Sequence, residues 1–327
     1  MPTPPDPGPG EALVKVRAVG ICGSDLHWYA EGRIGRSVAR YPQVLGHEPA
    51  GEVVAADRAS GFAPGDRVAI EPATSCGACE FCLAGRHNLC IRATFMGSPQ
   101  VPGLLLEYAL VPAANLVRVP DTLDWTAATL IEPLAVVLHI LEVAPVKLGD
   151  TVAVLGAGPI GLLLTTAVRA AGAAQVFAAE KQPHRLALAR VMGATSTVDA
   201  RTASPAAAIL DHTRGRGADI VFEASGDGAS VNHALQAARP GGIVVLIGLS
   251  DQPEMALDVD TAMSKELQVR TIRRSNHNAH AAIEMLAAGR IPSALVTHHF
   301  NLDESPAAFE LLATRTDGAG KIIIEIP

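Results

Sequence analysis

The stretch from Thr151 to Leu164, TVAVLGAGPIGLLL, decides the fold of this chain. A short apolar, β-branched run ends at the glycines, and a helix-forming run begins directly after them. In that strand–turn–helix context, a G-x-G-x-x-G pattern is typical of a dinucleotide site. The first glycine permits a tight turn, the second lets a pyrophosphate approach the backbone, and the third lets the helix pack on the strand. The predicted cofactor-binding residues of this loop are Gly156, Gly158, Pro159, Ile160 and Gly161.

Strands and helices continue to alternate downstream. Short apolar runs recur at residues 175–180, 195–199, 218–225, 241–249 and 267–272. Helical segments separate most of these runs. Six such strands indicate a doubly wound parallel sheet of the Rossmann type. The predicted fold class is therefore α/β, and residues 133–272 are predicted to form a domain that binds NAD.

The choice of dinucleotide depends on Glu180, which ends the second strand 19 residues after Gly161. A carboxylate there accepts hydrogen bonds from a ribose 2′-hydroxyl and repels a 2′-phosphate, which favours NAD over NADP. The nearby cations Lys181 and Arg185 weaken that preference. The plainer interpretation of Glu180 is a solvated strand end.

The first third of the chain has a different pattern. Runs such as EALVKVRAVG (residues 11–20) and DRVAIEP (66–72) are short and end at glycine or proline. They predict an antiparallel, partly barrel-like β domain over residues 1–132. The strand-like KIIIEIP at the end of the sequence indicates that residues 273–327 return to this domain.

All five cysteines lie in that first segment. Four of them follow the pattern C-x2-C-x2-C-x7-C in a lobe over residues 74–92: Cys76, Cys79, Cys82 and Cys90. Four thiolates close the tetrahedral shell of a structural Zn²⁺. Cys22 stands upstream of His47 and Glu48, and such a set leaves one position open, as a catalytic zinc requires. The sequence therefore predicts one structural and one catalytic zinc.

Two other interpretations of the cysteines are weaker. An odd number of cysteines, and an N-terminus without a basic start or an apolar core, argue against a disulfide framework. A nucleic-acid-binding zinc module is disfavoured by the net charge of −7. A basic cluster is also missing, since only Arg86 and Arg92 lie near the cysteines.

Composition sets the broad class. The 327 residues suffice for two domains with separate cores, and 49% hydrophobic with 4% aromatic residues suits a soluble α/β protein. The apolar runs are too short to span a bilayer, so we expect no membrane partner. The negative charge disfavours nucleic acid as a partner. Because the sequence shows no targeting signal, the cytoplasm is the expected location.

Taken together, the motifs identify a family. The chain resembles the zinc-containing medium-chain alcohol and polyol dehydrogenases over nearly its whole length, and the sorbitol dehydrogenase branch most of all. The resemblance is carried by the four-cysteine lobe and by GICGSDLHWY (20–29), LGHEPAG (45–51), IEPLAVVLH (131–139) and GAGPIG (156–161). It implies a zinc-dependent oxidoreductase that transfers a hydride from a polyol or related secondary alcohol to NAD and gives a ketone. The family's first strand usually precedes the turn PDPGPGEALV, so we expect the β domain to lack that edge strand.

The resemblance also implies roles for single residues. Glu132 occupies the place where classical alcohol dehydrogenases have a second cysteine, and in polyol dehydrogenases it acts through a zinc-bound water or on the substrate. Ser24 matches the hydroxyl that receives the substrate's proton, and His27 matches a relay residue. Arg185 resembles an arginine that helps to hold the adenosine ribose. Gly248 falls in a loop that lines the nicotinamide.

The predicted substrate pocket departs from the family pattern. Trp28 stands where sorbitol dehydrogenases usually have tyrosine, and Arg-Arg-Ser at 273–275 replaces a Phe-Arg-Tyr run. Arg274 then fits the arginine that contacts the substrate, and we also assign it to the cofactor set. Phe95 and Glu132 complete the predicted substrate set. These departures leave the zinc chemistry intact and put sorbitol itself in question.

Several assignments have simpler alternatives. His47 and Glu48 are adjacent and would face opposite ways in an extended strand. Glu48 therefore either reaches the metal through a bend or orients a ligand from behind. Glu132 could be only a negative charge at a helix start. His27 could be a surface histidine, and Ser24 a loop cap.

The resemblance leaves two rival functions open. An amino-alcohol dehydrogenase similar to L-threonine 3-dehydrogenase shares the zinc motifs, although Glu132 favours the polyol side. A non-catalytic NAD-binding protein would keep the fold and the four-cysteine site, although Cys22, Ser24 and His47 together argue against it. Members of the family usually form dimers or tetramers. We therefore expect a homodimer or homotetramer, with the strand near Val269 as a contact.

Overall fold

Two β-sheets organise the protein, a computed structural model of which describes residues 5–250, 252, 254–314 and 316–327. Both ends of the chain build a largely antiparallel sheet, and residues 151–271 build a parallel one. The predicted fold class, a Rossmann sheet beside an antiparallel β domain, is confirmed.

The strands are numbered in chain order. They are β1 (Glu11–Gly20), β2 (Arg33–Ile34), β3 (Ser37–Val38), β4 (Glu48–Ala56), β5 (Arg67–Ile70), β6 (Ala73–Thr74), β7 (Thr94–Phe95), β8 (Tyr108–Pro112), β9 (Leu116–Arg118), β10 (Thr151–Leu155), β11 (Gln175–Glu180), β12 (Ser196–Asp199), β13 (Ala218–Glu223), β14 (Ala238–Leu246), β15 (Gln268–Thr271), β16 (Val296–Asn301) and β17 (Lys321–Glu325).

The helices are numbered in the same way. They are α1 (Gly23–Leu26), α2 (Glu80–Leu83), α3 (Trp125–Thr129), α4 (Ile131–Val143), α5 (Pro159–Ala170), α6 (Pro183–Val191), α7 (Pro205–His212), α8 (Gly228–Ala237), α9 (Val259–Ser264), α10 (Ala279–Ala287) and α11 (Ser305–Thr314). One π-helical turn covers His27–Glu31. Short 3₁₀ turns cover Arg58–Ser60, His87–Leu89, Ala113–Asn115, Ser293–Leu295 and Leu302–Glu304. No helix in the described ranges has the length and apolar character needed to cross a bilayer.

The seven-stranded sheet is centred on β1. Its order is β16-β17-β1-β4-β5-β9, and β8 also pairs with β1. Register shifts at Leu13/Val14 and Val16/Ala18 interrupt the pairing of β1 with β4, and such bulges bend a strand. β1 thereby pairs antiparallel with β17, β4 and β8. The pair β16–β17 is parallel, so the sheet is not antiparallel throughout.

The six-stranded sheet has the order β12-β11-β10-β13-β14-β15, and all its neighbours are parallel. Its central strand β10 is fully buried from Val152 to Leu155. A strand covered on both faces is continuously apolar, which explains why this run does not alternate. The carboxyl ends of β10, β13 and β14 lie at one edge of the sheet, where open α/β sheets bind their ligands.

Helix α4 connects the two sheets. It contacts α5 and α10 and also approaches β4 and β5. One buried core accordingly includes Ala50 from the first sheet, Leu134 from α4 and Val152 from the second sheet. Glu132, at the start of α4, is therefore held between the two sheets. The domain boundaries after residues 132 and 272 remain predictions.

Candidate active site and metal centres

The lobe over residues 74–92 brings four free thiols together. The Sγ atoms of Cys76, Cys79, Cys82 and Cys90 all lie within 4.8 Å of one another. Cys82 Sγ is 3.5 Å from that of Cys79 and 3.9 Å from that of Cys76. A tetrahedron with Zn–S bonds of about 2.3 Å places its sulfurs roughly 3.8 Å apart. The four thiols therefore fit a tetrahedral zinc ion.

A second cluster joins Cys22, His47 and Glu48, whose candidate ligand atoms also lie within 4.8 Å of one another. The chain turns at Gly46, which has a φ of +86°, and β4 begins only at Glu48. His47 thus precedes the strand, and two adjacent side chains can point to the same place. This bend removes the geometric objection to Glu48 as a ligand. A cluster with one thiolate, one imidazole and one carboxylate fits a zinc ion with an open position.

Asp25 contacts Cys22, Gly46 and His47 and so holds the cluster in position. This residue was not identified from the sequence. Its Oδ1 accepts a hydrogen bond from the Gly46 amide at 2.9 Å and lies 3.2 Å from His47 Nδ1. Its Oδ2 accepts from the Cys22 amide at 3.1 Å. Burial alone would raise the pKa of Asp25, but the attraction of His47 and these hydrogen bonds lower it overall. Asp25 therefore stays ionised and fixes the ring of His47.

The two predicted relay residues differ in their surroundings. Ser24 Oγ lies 3.3 Å from His47 Nε2, so the structure brings this hydroxyl into the cluster. His27 begins the π-helical turn and bonds through Nδ1 to Glu31 Oε2 at 2.9 Å, near the surface. Trp28, in the same turn, is buried, and its carbonyl accepts a hydrogen bond from the Tyr41 hydroxyl. A π-helical turn at a functional site is a common arrangement.

Glu48 has a second partner that the sequence did not reveal. The ammonium of Lys321, in β17, donates to Glu48 Oε2 and to the Ile21 carbonyl, and both charged side chains are fully buried. A buried carboxylate requires such a partner. No local pattern indicates this contact, because Lys321 belongs to a strand at the far end of the chain. Glu48 can therefore both approach the metal cluster and neutralise Lys321.

Glu132 faces the same cluster from α4. Burial raises its pKa to about 8; His47 and Lys321 oppose that rise, and the negative charges of Glu48 and Glu71 add to it. Glu132 is therefore a carboxyl group that holds a proton near neutral pH. The structure brings it together with the predicted metal ligands, which is more than a helix-start charge requires.

Arg274 lies near the cluster, with the ring of Phe95 between it and His47. Its guanidinium carbon is 4.1 Å above the centre of the Phe95 ring, and that ring is 5.2 Å from the ring of His47. Burial and the neighbouring charge of Arg273 lower the pKa of Arg274 to about 10, while Glu71 and Glu132 oppose that change. Among the described residues, its Nη1 is buried without a hydrogen-bond partner. These contacts place Arg274 with the predicted substrate residues, and its cofactor role stays a prediction.

Glu71 is a further residue that sequence reasoning missed. Burial raises its pKa, and the Ala73 amide, the Ser275 hydroxyl at 3.2 Å and the charge of Arg274 oppose that rise. The one available signal was a single acidic residue at the end of the buried run DRVAIEP. Together with Glu132, it gives Arg274 two carboxyl groups as electrostatic partners.

The glycine loop follows β10 and leads into α5. A side chain at Gly161 would meet the Gly156 carbonyl oxygen at 1.9 Å, so this glycine allows the helix to pack against the loop. A side chain at Gly158 would meet nothing within 4 Å. Pro159 is the first residue of α5, and Ile160 is partly buried behind it. The space over Gly158 at the helix start fits the pyrophosphate of a dinucleotide.

Three other predicted cofactor residues lie in the elements that follow this loop. Glu180 Oε2 accepts a hydrogen bond from the Ala157 amide at 2.9 Å. Arg185 Nε donates to the carbonyl of Ala319, in the C-terminal segment, at 3.3 Å. Gly248 follows β14, and a side chain there would meet the Gly226 amide nitrogen at 2.0 Å. Their contacts with a cofactor remain predictions.

The fold and these two clusters define a class of protein: a zinc-dependent dehydrogenase that uses a nicotinamide cofactor. Residues 8–121 match the family model described as the alcohol dehydrogenase GroES-like domain. Residues 159–288 match the model described as zinc-binding dehydrogenase. The chain belongs to the zinc-dependent medium-chain dehydrogenases and is sorbitol-dehydrogenase-like.

Individual relatives agree with this assignment. The chain is 38% identical to a sorbitol dehydrogenase of Bacillus subtilis over 308 residues, which cover 94% of this chain and 87% of that one. It is also 38% identical to a probable D-xylulose reductase A of Arthroderma otae over 307 residues, which cover 92% and 86%. A putative zinc-binding dehydrogenase of Sinorhizobium meliloti, solved bound to NADP, is 35% identical with a TM-score of 0.90 and covers 98% of this chain and 93% of that one.

Proposed function

We propose that this protein is a polyol dehydrogenase that oxidises a secondary hydroxyl to a ketone and transfers the hydride to NAD. The convergence of Cys22, His47 and Glu48 beside Glu132 carries the proposal, because this combination suits a catalytic zinc with an open position. The relatives named above are by name a sorbitol dehydrogenase and a D-xylulose reductase, which supports a polyol substrate. We further propose that the four cysteines hold a second, structural zinc.

Each residue of the site would have its own role in the reaction. Zinc, when bound, would act as a Lewis acid toward the substrate oxygen, and the nicotinamide would accept the hydride. Ser24 Oγ, 3.3 Å from His47 Nε2, would accept the hydroxyl proton as it gives up its own. His27, in the π-helical turn that follows α1, would pass the released proton towards the surface. Glu132 would lie close to the reacting group, and in the metal-free protein burial raises its pKa to about 8.

The preference for a substrate with several hydroxyls follows from Arg274. Its buried Nη1 has no hydrogen-bond partner in the described part of the chain, and an unpaired buried donor is unfavourable. A second hydroxyl of the substrate could accept from it. Phe95 holds the guanidinium in place through its ring face. A simple alcohol would leave this donor unpaired, whereas a polyol would not.

The preference for NAD rests on charges around Glu180. Its carboxylate accepts hydrogen bonds from the amides of Ala157, Lys181 and Gln182, which fix it beside the glycine loop. The ammonium of Lys181 pairs with Asp227, and Arg185 is bonded to Ala319. With Lys181 in a surface ion pair and Arg185 bonded to a backbone carbonyl, a 2′-phosphate would meet mainly the charge of Glu180. Because the Sinorhizobium meliloti relative was solved bound to NADP, the preference of this chain for NAD needs an experimental test.

Assembly and location complete the proposal. The outer strand β15 pairs with β14, and Val269 on it is partly exposed, which supports a homodimer or homotetramer with a contact at this edge. All five cysteines are free, which supports a reducing compartment such as the cytoplasm.

A substrate panel tests the proposed function. The zinc-loaded enzyme is offered sorbitol, xylitol, L-threonine and 2-butanol with NAD or NADP, and the reduced cofactor is followed by its absorbance. We expect the highest kcat/KM with a polyol and NAD. Preferential turnover of L-threonine would overturn the substrate assignment, and a preference for NADP would overturn the role given to Glu180.

Zinc counting separates an enzyme from an inert NAD-binding protein. We expect two zinc ions per chain, one after Cys22→Ser and one after Cys76→Ser. Of the two variants, only Cys22→Ser should lose turnover completely while it retains NAD binding. One zinc per chain that is insensitive to Cys22→Ser would support the inert alternative.

A further inference from the structure

Residues 273–278, which we call the Arg274 loop, connect β15 to α10 in an unusual backbone conformation. Arg274 has a φ of +56° and His277 a φ of +64°. Non-glycine residues rarely occupy this left-handed region, and they stay there only where their surroundings impose it. The contacts of this loop therefore show what determines the position of Arg274.

The cysteine lobe supplies these contacts on both sides of Arg274. The side-chain amide of Asn88 donates to the Arg273 carbonyl at 3.0 Å. The side chain of Asn276 donates to the Gly85 carbonyl at 2.9 Å and accepts from the His87 amide at 3.0 Å. Gly85, His87 and Asn88 all lie in the spacer between Cys82 and Cys90. The spacer thus fixes the loop immediately before and shortly after Arg274.

Between these two anchors, the loop faces the proposed substrate pocket. The Ser275 hydroxyl donates to Glu71, and the Arg274 guanidinium covers Phe95. The spacer is itself held at both ends, because the thiols of Cys82 and Cys90 belong to the four-cysteine cluster. A structural element of the lobe is therefore hydrogen-bonded to the backbone that presents a substrate-binding side chain.

We infer that the spacer between Cys82 and Cys90 positions Arg274, so that Asn88 and Asn276 determine the preference for polyols over simple alcohols. This inference rests on the proposed function, in which Arg274 binds a second hydroxyl of the substrate. Asn88 and Asn276 are positioning residues: they act through the backbone of the Arg274 loop. The four-cysteine lobe then has a part in substrate selection as well as in stability.

A double-mutant cycle tests this inference on the zinc-loaded full-length enzyme. Asn276→Ala, Arg274→Ala and the double variant are compared with sorbitol and with 2-butanol, using NAD. We expect Asn276→Ala to lower kcat/KM for sorbitol about three- to tenfold, mainly through KM, as the loss of one or two hydrogen bonds predicts. Turnover of 2-butanol should stay within about twofold. In the Arg274→Ala background, Asn276→Ala should have no further effect, because the two residues act as one unit.

Measurements other than turnover accompany the cycle. The dissociation constant of sorbitol in the complex with NADH, followed by NADH fluorescence, should rise by the same factor in Asn276→Ala. Zinc per chain should be unchanged. Glu80→Ala, an exposed position on the same lobe, is the matched control and should behave as the wild type. If Asn276→Ala does not fold, Asn276→Asp keeps the acceptor for the His87 amide and loses the donor to Gly85, and it should show the same pattern.

The possible outcomes are distinct. If Arg274→Ala weakens sorbitol turnover and Asn276→Ala lowers it by the same factor in both backgrounds, the positioning role is wrong and the proposed function stands. Equal losses for sorbitol and 2-butanol would also overturn the positioning role. If the wild type neither binds nor oxidises sorbitol, or if Arg274→Ala changes nothing, the proposed substrate class itself fails and the inference fails with it.

Discussion

The orientation of His47 depends on Asp25, a fully buried carboxylate. We expect Asp25→Asn, which keeps the shape and removes the charge, to weaken zinc binding at Cys22 and His47 by about 10- to 100-fold. The four-cysteine site should keep its metal. Zinc per chain is measured after dialysis against a graded series of chelator concentrations. Asp121→Asn, whose side chain is 97% exposed, is the control. Equal loss from both sites in Asp25→Asn would contradict the assignment.

Glu132 should make the stability of the metal-free protein depend on pH. Its pKa rises from 4.5 to about 8 on folding, so the folded chain holds this proton more tightly than the unfolded chain. The resulting stabilisation is present below pH 4.5 and is lost as the pH rises to about 8. Glu132→Gln removes this dependence. In chelator, the Tm advantage of Glu132→Gln over the wild type should be larger at pH 8 than at pH 5, by roughly 5 °C.

Parallel Tm curves at the two pH values would show that Glu132 does not titrate in this range. Glu284→Gln is a suitable control, because Glu284 is exposed on α10, the helix that packs against α4. That variant should shift Tm equally at both pH values.

The turn from β10 into α5 separates two functions of glycine. Gly161→Ala would place a side-chain carbon against the Gly156 carbonyl, so the helix must move away from the strand. Gly158→Ala meets no atom within 4 Å, and Gly158 has a φ of −71°, which alanine adopts readily. We expect Gly161→Ala to lower Tm by roughly 5 °C or more. Gly158→Ala should keep Tm and weaken NAD binding at least about tenfold, because the methyl group would occupy the pyrophosphate space.

Calorimetry for Tm and titration with NAD for the dissociation constant check both variants. A Gly158→Ala protein that binds NAD as tightly as the wild type would place the pyrophosphate elsewhere. A Gly161→Ala protein with unchanged Tm would show that α5 tolerates the shift.

Elements with local sequence signatures were predictable. The parallel sheet follows from apolar runs and glycines that are neighbours in sequence, and the four-cysteine lobe follows from ligand spacing within residues 74–92. Contacts between distant segments were not predictable. Glu71 approaches Ser275, and Glu48 pairs with Lys321, only because segments far apart in the chain are brought together. The pattern of a single buried strand contains no information about which charge lies opposite its end.

One local question was also settled only by the backbone. Side chains alternate between the two faces of a strand, so the sequence predicted that the adjacent residues His47 and Glu48 point in opposite directions. Strand β4 begins only at Glu48, one residue later than that prediction requires. The backbone bends just before it, because Gly46 is in the left-handed region. The exact start of a strand is the least predictable property of a sequence pattern.

The whole molecule should associate through the edge of its parallel sheet. Val269 on β15 is 39% exposed, and an outer strand offers unpaired backbone groups to a second copy. We expect sedimentation velocity to show a dimer or tetramer. Val269→Lys should shift the protein towards smaller species, because a lysine on an edge strand blocks strand pairing. Val191→Lys, at a 57% exposed position on α6, should leave the assembly unchanged. The same sedimentation profile for both variants would exclude this edge as the contact.

The pairing of β17 with β1 has a consequence for synthesis. Strand β1 is synthesised early, but Ile21, the residue directly after it, contacts Lys321, which is synthesised 300 residues later. The parallel sheet is contiguous in the chain, so it can fold while the last segment is still being translated. The antiparallel β domain is therefore the first to be synthesised and the last to be completed. Until then, the part of β1 that pairs with β17, Ala18 to Gly20, lacks that partner and is open to chaperones and to other nascent chains.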